Sequence, residues 1–180
     1  MTAAAGFASR IRNAGPQAAA WIVALVSAAT ISGALVFEWF GFAPCELCLQ
    51  QRWAYYIGVP LAIVAALAGA FRPRAGGIIL ISLALLFAGS AAFGAWHAGV
   101  EWGFWQGPAG CTGVASQRAA DMGDFLKQIE ATRLVRCDEV SLRIFGLSLA
   151  GWNAVISVGL SALAAIGVRN GLSGPAPDVR

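Results

Sequence analysis

Two cysteines, Cys45 and Cys48, precede a long apolar stretch, and Arg52 follows Cys48 by one helical turn. Because Pro44 suits the start of a helix, this spacing predicts that both sulfurs lie in a first helical turn. Free backbone N–H groups and the helix dipole favour a thiolate at that position. Since Arg52 is on the same helix face as Cys48, we expect Cys48 to be the more reactive thiol. The pattern indicates thiol redox chemistry at a membrane surface.

The other two cysteines, Cys111 and Cys137, lie in the one long polar segment, close to Gly107 and Pro108. This composition predicts a flexible, exposed loop, in which a disulfide between them would be open to attack by a thiolate. Two inert structural disulfides remain an alternative, because an oxidising compartment permits them. We expect no metal, since the second pair is too widely spaced for a zinc site. Haem attachment would need a histidine in place of Leu49.

Four apolar stretches are each long enough to cross a hydrocarbon core of about 30 Å. Hydrophobic residues make up 58% of the chain and charged residues 12%, against about a quarter charged in soluble domains. Because backbone groups in lipid must be satisfied internally, each stretch is predicted to be a helix. Gly69, Gly89 and Gly159 are expected to allow close helix packing. The predicted spans are residues 17–37, 49–71, 76–96 and 147–168, with an outer loop over residues 97–146.

The sequence therefore predicts an all-α membrane protein, a bundle of four transmembrane helices in a single domain over residues 1–180. The outer loop carries Met122, Phe125, Leu126 and Ile129 at helical spacing within residues 116–134. This spacing predicts a short amphipathic helix, which either lies on the lipid bilayer or packs on the outer end of the bundle.

Basic residues sort to one side of the predicted bundle. Arg10 and Arg12 precede the first span, Arg72 and Arg74 lie between the second and third, and Arg169 follows the fourth. By the positive-inside rule, both termini are expected in the cytoplasm and all four cysteines on the opposite side. We expect the first span to stay uncleaved, since its apolar region is too long for a signal peptide. Without a basic patch in a soluble segment, nucleic acid is not an expected partner.

Several of these motifs resemble the DsbB family of bacterial inner-membrane thiol oxidases. The similarity covers nearly the whole chain, although many members of that family carry an acid at the position of Gln51. The matching segments are Pro-Cys-x-x-Cys-x-x-x-Arg at 44–52, the loop cysteines 111 and 137, the segment 96–101, and Phe-Gly-Leu-Ser-Leu-Ala-Gly-Trp-Asn at 145–153.

The resemblance implies a multi-pass protein of the bacterial inner membrane whose cysteines face the periplasm. It implies that a reduced, DsbA-like periplasmic thioredoxin-fold protein attacks the loop disulfide at Cys111. Cys137 would then exchange with Cys45, and Cys48 would pass the electrons to a membrane quinone, either ubiquinone or menaquinone. The quinone supplies the redox chemistry, and the protein supplies position and electrostatics.

Further residues are candidates for quinone contacts. The resemblance implies that Arg52 stabilises both the Cys48 thiolate and the charge that develops on the quinone. His97, the one histidine of the chain, is a candidate partner for a quinone carbonyl or a cysteine, with an interfacial belt position as the alternative. Trp152 is expected in that aromatic belt, and Asn153 is expected to cap or bridge helices.

Two other functions stay open from the sequence. One is a four-helix membrane scaffold with structural disulfides, which leaves the cost of Arg52 in lipid unexplained. The other is a different quinone-linked four-helix reductase of the vitamin K epoxide type, in which the cysteine pair lies near the last span. A transmembrane carrier of reductant is disfavoured, because it needs cysteines in the middle of spans.

Overall fold

A computed structural model describes residues 15–108, 111, 136–140 and 142–173. Four helices in these ranges are long and apolar enough to cross a membrane, which confirms the predicted all-α, four-helix membrane fold. Each helix extends past the predicted span at one end or both, because a helix does not have to end where its apolar, membrane-crossing residues end. The helices are α1 (Pro16–Trp39), α2 (Glu46–Phe71), α3 (Pro73–Glu101) and α4 (Leu149–Leu172).

Helix starts follow ordinary capping chemistry. Pro16 and Pro73 occupy the first turns of α1 and α3, where a missing N–H costs nothing. At α4 the Ser148 Oγ accepts a hydrogen bond from the Gly151 N–H at 3.1 Å, as serine commonly does at this position. At α2 the capping residue is Cys45, so a potential redox sulfur replaces the usual hydroxyl or carboxylate.

A short hairpin lies immediately before α4, where the sequence predicted that the fourth span starts at residue 147. Strand β1 (Arg143–Ile144) pairs in antiparallel register with β2 (Leu147–Ser148). Phe145 and Gly146 join the strands with φ values of 51° and 84°, which is typical of a two-residue hairpin turn. The helix therefore begins two residues later than predicted, at Leu149.

Glycines allow helices to approach closely, most directly between α2 and α3. A Cβ on Gly76 of α3 would lie 2.6 Å from the Cα of Gly69 on α2, so the two backbones meet directly. The same role was predicted for Gly89 and Gly159, and there the prediction is wrong: a Cβ at either position would meet nothing within 4 Å. Small residues fill the rest of the core, including Ala19, Ala62, Ala65 and Ala164, around Leu80, Leu83 and Phe87.

Two predictions concern segments outside the described residues. The amphipathic helix proposed within residues 116–134 belongs to one of these segments, and Arg10 and Arg12 belong to the other. The end of α3 is described, and it extends to Glu101 rather than stopping at residue 96. His97 is therefore a helical residue and not the first residue of a loop.

Candidate functional site

All four cysteines lie together at one end of the bundle, where α2 begins and α3 ends. Cys45, Cys111 and Cys137 form a buried cluster with Leu47. Cys48, Phe93 and Trp96 pack against that cluster. Two pairs that are far apart in the sequence are thus brought within one small volume.

Cys45 and Cys48 are free thiols in this structure, with their sulfur atoms 2.7 Å apart. The Cys45 Sγ caps α2 and accepts a hydrogen bond from the Cys48 N–H at 3.3 Å. The pKa of Cys45 is lowered to about 5, mainly by a hydrogen bond with the Cys48 side chain. Burial of the thiol opposes this shift, and His97 acts in the same direction as the hydrogen bond. The sequence assigned the thiolate to Cys48, whereas the structure stabilises it on Cys45. The reason is that the Cys45 sulfur, which caps α2, is the one that the nearby hydrogen-bond donors contact.

His97 is fully buried beside the cysteine pair. Its ring Nε2 lies 3.7 Å from the Cys45 Sγ, and its Nδ1 lies 2.8 Å from the side-chain nitrogen of Gln51. Of the partners proposed from the sequence, the histidine therefore contacts a cysteine. The contact with Gln51 was not foreseen, because it joins residues on two different helices.

The Cys45 and Cys48 sulfurs and a His97 ring nitrogen all lie within 4.8 Å of one another. A metal ion is compatible with that spacing. Two sulfurs and one nitrogen are, however, one short of the four protein ligands of a structural zinc site. We therefore assign no metal here.

A disulfide joins Cys111 and Cys137, as the sequence suggested. The Cys137 N–H also donates a hydrogen bond to the Cys111 carbonyl at 2.9 Å. The pair was predicted to be exposed, and this prediction is wrong, because the two residues are only 5% and 1% exposed. The Gly-Pro composition around Cys111 does not report this burial, because it results from packing against Cys45 and Leu47.

A cavity of about 320 Å³ lies on the other side of Cys48. Its wall is formed by residues of α1, α2 and α4, by the connection between α1 and α2, and by Ile144 of the hairpin. Trp152, predicted as a belt residue, is part of this wall, and its indole N–H donates to the Ile144 carbonyl at 2.9 Å. Lining residues include Phe37, Phe42, Pro44, Cys48, Gln51, Arg52, Tyr55, Leu149, Trp152, Asn153 and Ile156.

Arg52 is on the cavity wall and forms an ion pair. Its guanidinium donates to a Glu38 carboxylate oxygen at 2.6 Å, with the arginine side chain 11% exposed and the glutamate 44%. A compensating carboxylate explains how an arginine is tolerated within an apolar bundle. Glu38, at the end of α1, was not identified as a site residue from the sequence.

A buried polar network crosses the bundle beside the cavity. The Tyr55 hydroxyl donates to Asn153 Oδ1 at 2.6 Å and lies 3.3 Å from the Ser157 hydroxyl. Ser157 in turn donates to the Ser90 hydroxyl at 3.1 Å. Asn153 therefore bridges α2 and α4, in line with its expected role.

Known proteins resemble this chain over most of its length. The family described as Disulfide bond formation protein DsbB matches residues 16–167. Disulfide bond formation protein B of Verminephrobacter eiseniae (strain EF01-2) is 30% identical over 177 residues, which cover 87% of this chain and 92% of the relative. Uncharacterized protein RP370 of Rickettsia prowazekii (strain Madrid E) is 23% identical over 139 residues, covering 76% of this chain and 78% of that protein.

No solved structure matches the chain. The family match covers the first three membrane helices completely and the fourth as far as residue 167, and it includes all four segments that carry the sequence resemblance. The chain therefore belongs to the DsbB family, as a four-helix membrane protein of disulfide bond formation.

Proposed function

We propose that this protein is a thiol oxidase that reoxidises a DsbA-like periplasmic protein and passes the electrons to a membrane quinone. One observation carries the proposal. Cys45 packs with the loop disulfide, whereas Cys48, one helical turn away, lines the cavity. A single cysteine pair thus has one sulfur beside a thiol donor and the other beside a site for an acceptor.

The first exchange takes place at the loop disulfide. A partner thiolate attacks the Cys111 sulfur, the Cys111–Cys137 bond breaks, and Cys137 leaves as a thiolate. Such an exchange needs access to the attacked sulfur. Because both loop cysteines are buried, the residues packed over Cys111 have to move before the partner thiolate can reach its sulfur.

The second exchange passes the electrons inward. The Cys137 thiolate attacks Cys45 of an oxidised Cys45–Cys48 pair, and Cys48 leaves as a thiolate. The second partner thiol then attacks the partner's own sulfur in its mixed disulfide with Cys111, which completes the partner's disulfide and releases Cys111 as a thiolate. This thiolate displaces Cys45 from Cys137. The loop disulfide is thereby restored, and two electrons remain on Cys45 and Cys48. A thiol with a low pKa is a good leaving group, which suits Cys45 with its pKa of about 5.

The cavity fits a quinone ring. Its wall is mainly apolar and aromatic, with Arg52, Gln51 and Asn153 as polar groups. Ligand sites typically have this composition, and 320 Å³ falls within their usual volumes of roughly 300–1,000 Å³. Bound there, ubiquinone or menaquinone would serve as a two-electron, two-proton acceptor for the electrons on Cys45 and Cys48.

Side chains of the protein would stabilise the negative charge that develops on a quinone in this cavity. The Arg52 guanidinium provides hydrogen-bond donors and positive charge on the same wall as Cys48. Glu38 keeps the guanidinium at the cavity through their ion pair. We assign His97 to the Cys45 sulfur, which it contacts, rather than to the quinone.

The test uses purified protein in detergent, with a reduced DsbA-type partner and a short-chain ubiquinone or menaquinone, and follows quinol formation by absorbance. We expect catalytic turnover that Cys48→Ser abolishes. Arg52→Met is expected to slow it by about 100-fold, the typical cost of losing a group that stabilises developing charge. Arg169→Met, in the last turn of α4, is the control and is expected to turn over normally. If no quinone is reduced and the loop disulfide survives the partner, the scaffold function replaces this proposal.

A further inference from the structure

Gln51, His97 and Cys45 form a linear chain of contacts inside the protein. Gln51 on α2 is 7% exposed, His97 on α3 is fully buried, and Cys45 is 5% exposed. The Gln51 side-chain nitrogen lies 2.8 Å from His97 Nδ1. On the opposite edge of the ring, Nε2 lies 3.7 Å from the Cys45 sulfur.

The donor and acceptor roles in this chain follow from the chemistry of the groups. The amide nitrogen of glutamine only donates, so Nδ1 has to accept and therefore carries no hydrogen. In a neutral imidazole the hydrogen then sits on Nε2, the atom that faces Cys45. Burial excludes water as a substitute partner, so a hydrogen on Nδ1 would oppose the amide hydrogens and leave a buried donor unpaired.

We propose that Gln51 is a positioning residue that holds His97 as the neutral tautomer protonated on Nε2. The imidazole then donates a hydrogen bond to the Cys45 sulfur and does not take up its proton. When the pair is reduced, this hydrogen bond stabilises negative charge on the Cys45 sulfur. The value of this arrangement for turnover rests on the function proposed above, whereas the tautomer itself does not.

The experiment exploits the fact that His97 is the one histidine of the chain. Full-length protein labelled with ¹⁵N-histidine, reduced with dithiothreitol in detergent, should give a single pair of ring nitrogen signals. We expect Nε2 to be protonated and Nδ1 to be unprotonated at neutral pH. A spectrum with Nδ1 protonated, with both nitrogens protonated, or with rapid averaging between tautomers would overturn the proposal. The measurement needs neither quinone nor partner, so its result is independent of the oxidase activity.

Variants of Gln51 test whether this residue is the cause. A carboxylate only accepts hydrogen bonds, so Gln51→Glu should move a proton onto Nδ1. The matched control is Gln50→Glu, because Gln50 is exposed on the same helix and contacts Glu46 instead. This control should leave Nδ1 unprotonated. If Gln51→Glu leaves Nδ1 unprotonated, Gln51 does not set the tautomer and the proposal fails. The unmodified protein still tests the proposal if that variant does not fold.

Discussion

Cys45 and Cys48 are three residues apart, yet their surroundings differ in kind. Cys45 is the cap of α2, is 5% exposed and contacts His97. Cys48 lies within the helix and lines the cavity with Arg52. The two sulfurs, 2.7 Å apart, therefore have different neighbours, which is the arrangement that the function proposed above needs. The division follows from helix geometry, because a cap residue and the third helical residue point to different neighbours.

The low pKa of Cys45 leads to a prediction about the reduction potential of the Cys45–Cys48 pair. Its reduction takes up two electrons, with two protons below about pH 5 and one proton above it, since Cys45 stays ionised above its pKa of about 5. Each proton contributes about 30 mV per pH unit to a two-electron couple. We expect the potential to fall by about 60 mV per pH unit below that pKa and by about 30 mV above it. Redox titration of a Cys111→Ala, Cys137→Ala protein measures this slope directly.

His97→Phe provides the comparison for that titration. Removing the imidazole removes one hydrogen bond to the Cys45 thiolate, so its pKa rises and the change of slope moves to higher pH. The direction is fixed, because a lost donor always favours the protonated thiol. A steep slope that continues through neutral pH in the unmodified protein would contradict the pKa of Cys45.

How far the sequence predicts these residues depends on how local each signal is. The spacing of Cys45, Cys48 and Arg52 could be interpreted from the sequence, because one helical turn brings Cys48 and Arg52 onto one face of the helix. The contacts of Arg52 with Glu38 and of Gln51 with His97 join different helices. They follow from how the helices pack, which residue spacing along one helix does not report.

The close approach of α2 and α3 depends on two glycines. A Cβ at position 76 would lie 2.6 Å from the Gly69 Cα, so Gly76→Ala has to push the helices apart. Overpacking of this kind costs about 1–3 kcal/mol. We expect a matching fall in the free energy of unfolding, measured by denaturant titration in mixed micelles.

The control for the helix crossing lies on the same helix. Gly89→Ala adds the same methyl group to α3 at a position where it meets nothing within 4 Å. Since alanine is the better helix former by about 1 kcal/mol, stability should stay the same or rise. Equal losses for both variants would mean that helix packing at Gly76 is not the cause.

The polar network gives a second prediction about helix association. Tyr55 is 3% exposed, and its hydroxyl links α2 to Asn153 on α4. Tyr55→Phe keeps the ring but leaves the Asn153 oxygen without this donor, which should cost about 1 kcal/mol. Tyr56→Phe is the matched control, because Tyr56 is the next residue along and is 47% exposed. Thermal denaturation in detergent should show a lower midpoint for the first variant than for the second.

At the scale of the molecule, the two ends of the bundle carry different chemistry. One end holds both cysteine pairs with His97. The other holds the tight connection between α2 and α3, where Arg72 is the last residue before α3 begins at Pro73. Because α2 is long enough to span a membrane, Arg72 and Cys45 lie at opposite ends of one spanning helix. Once the membrane side of either residue is known, the other residue has to lie on the opposite side.

From the positive-inside rule we expect Arg72 and Arg74 in the cytoplasm and the cysteines in the periplasm, where disulfides persist. Alkaline phosphatase needs disulfides to be active and therefore reports that compartment. We expect a fusion after Trp105, beyond the end of α3, to be active and a fusion after Arg74 to be inactive. The two fusion points lie at the two ends of α3, after its second residue and beyond its last, so a helix that spans the membrane has to give opposite results. Activity after Arg74 with none after Trp105 would mean that the orientation is reversed. The loop disulfide would then face a reducing compartment, where it could not oxidise a periplasmic partner.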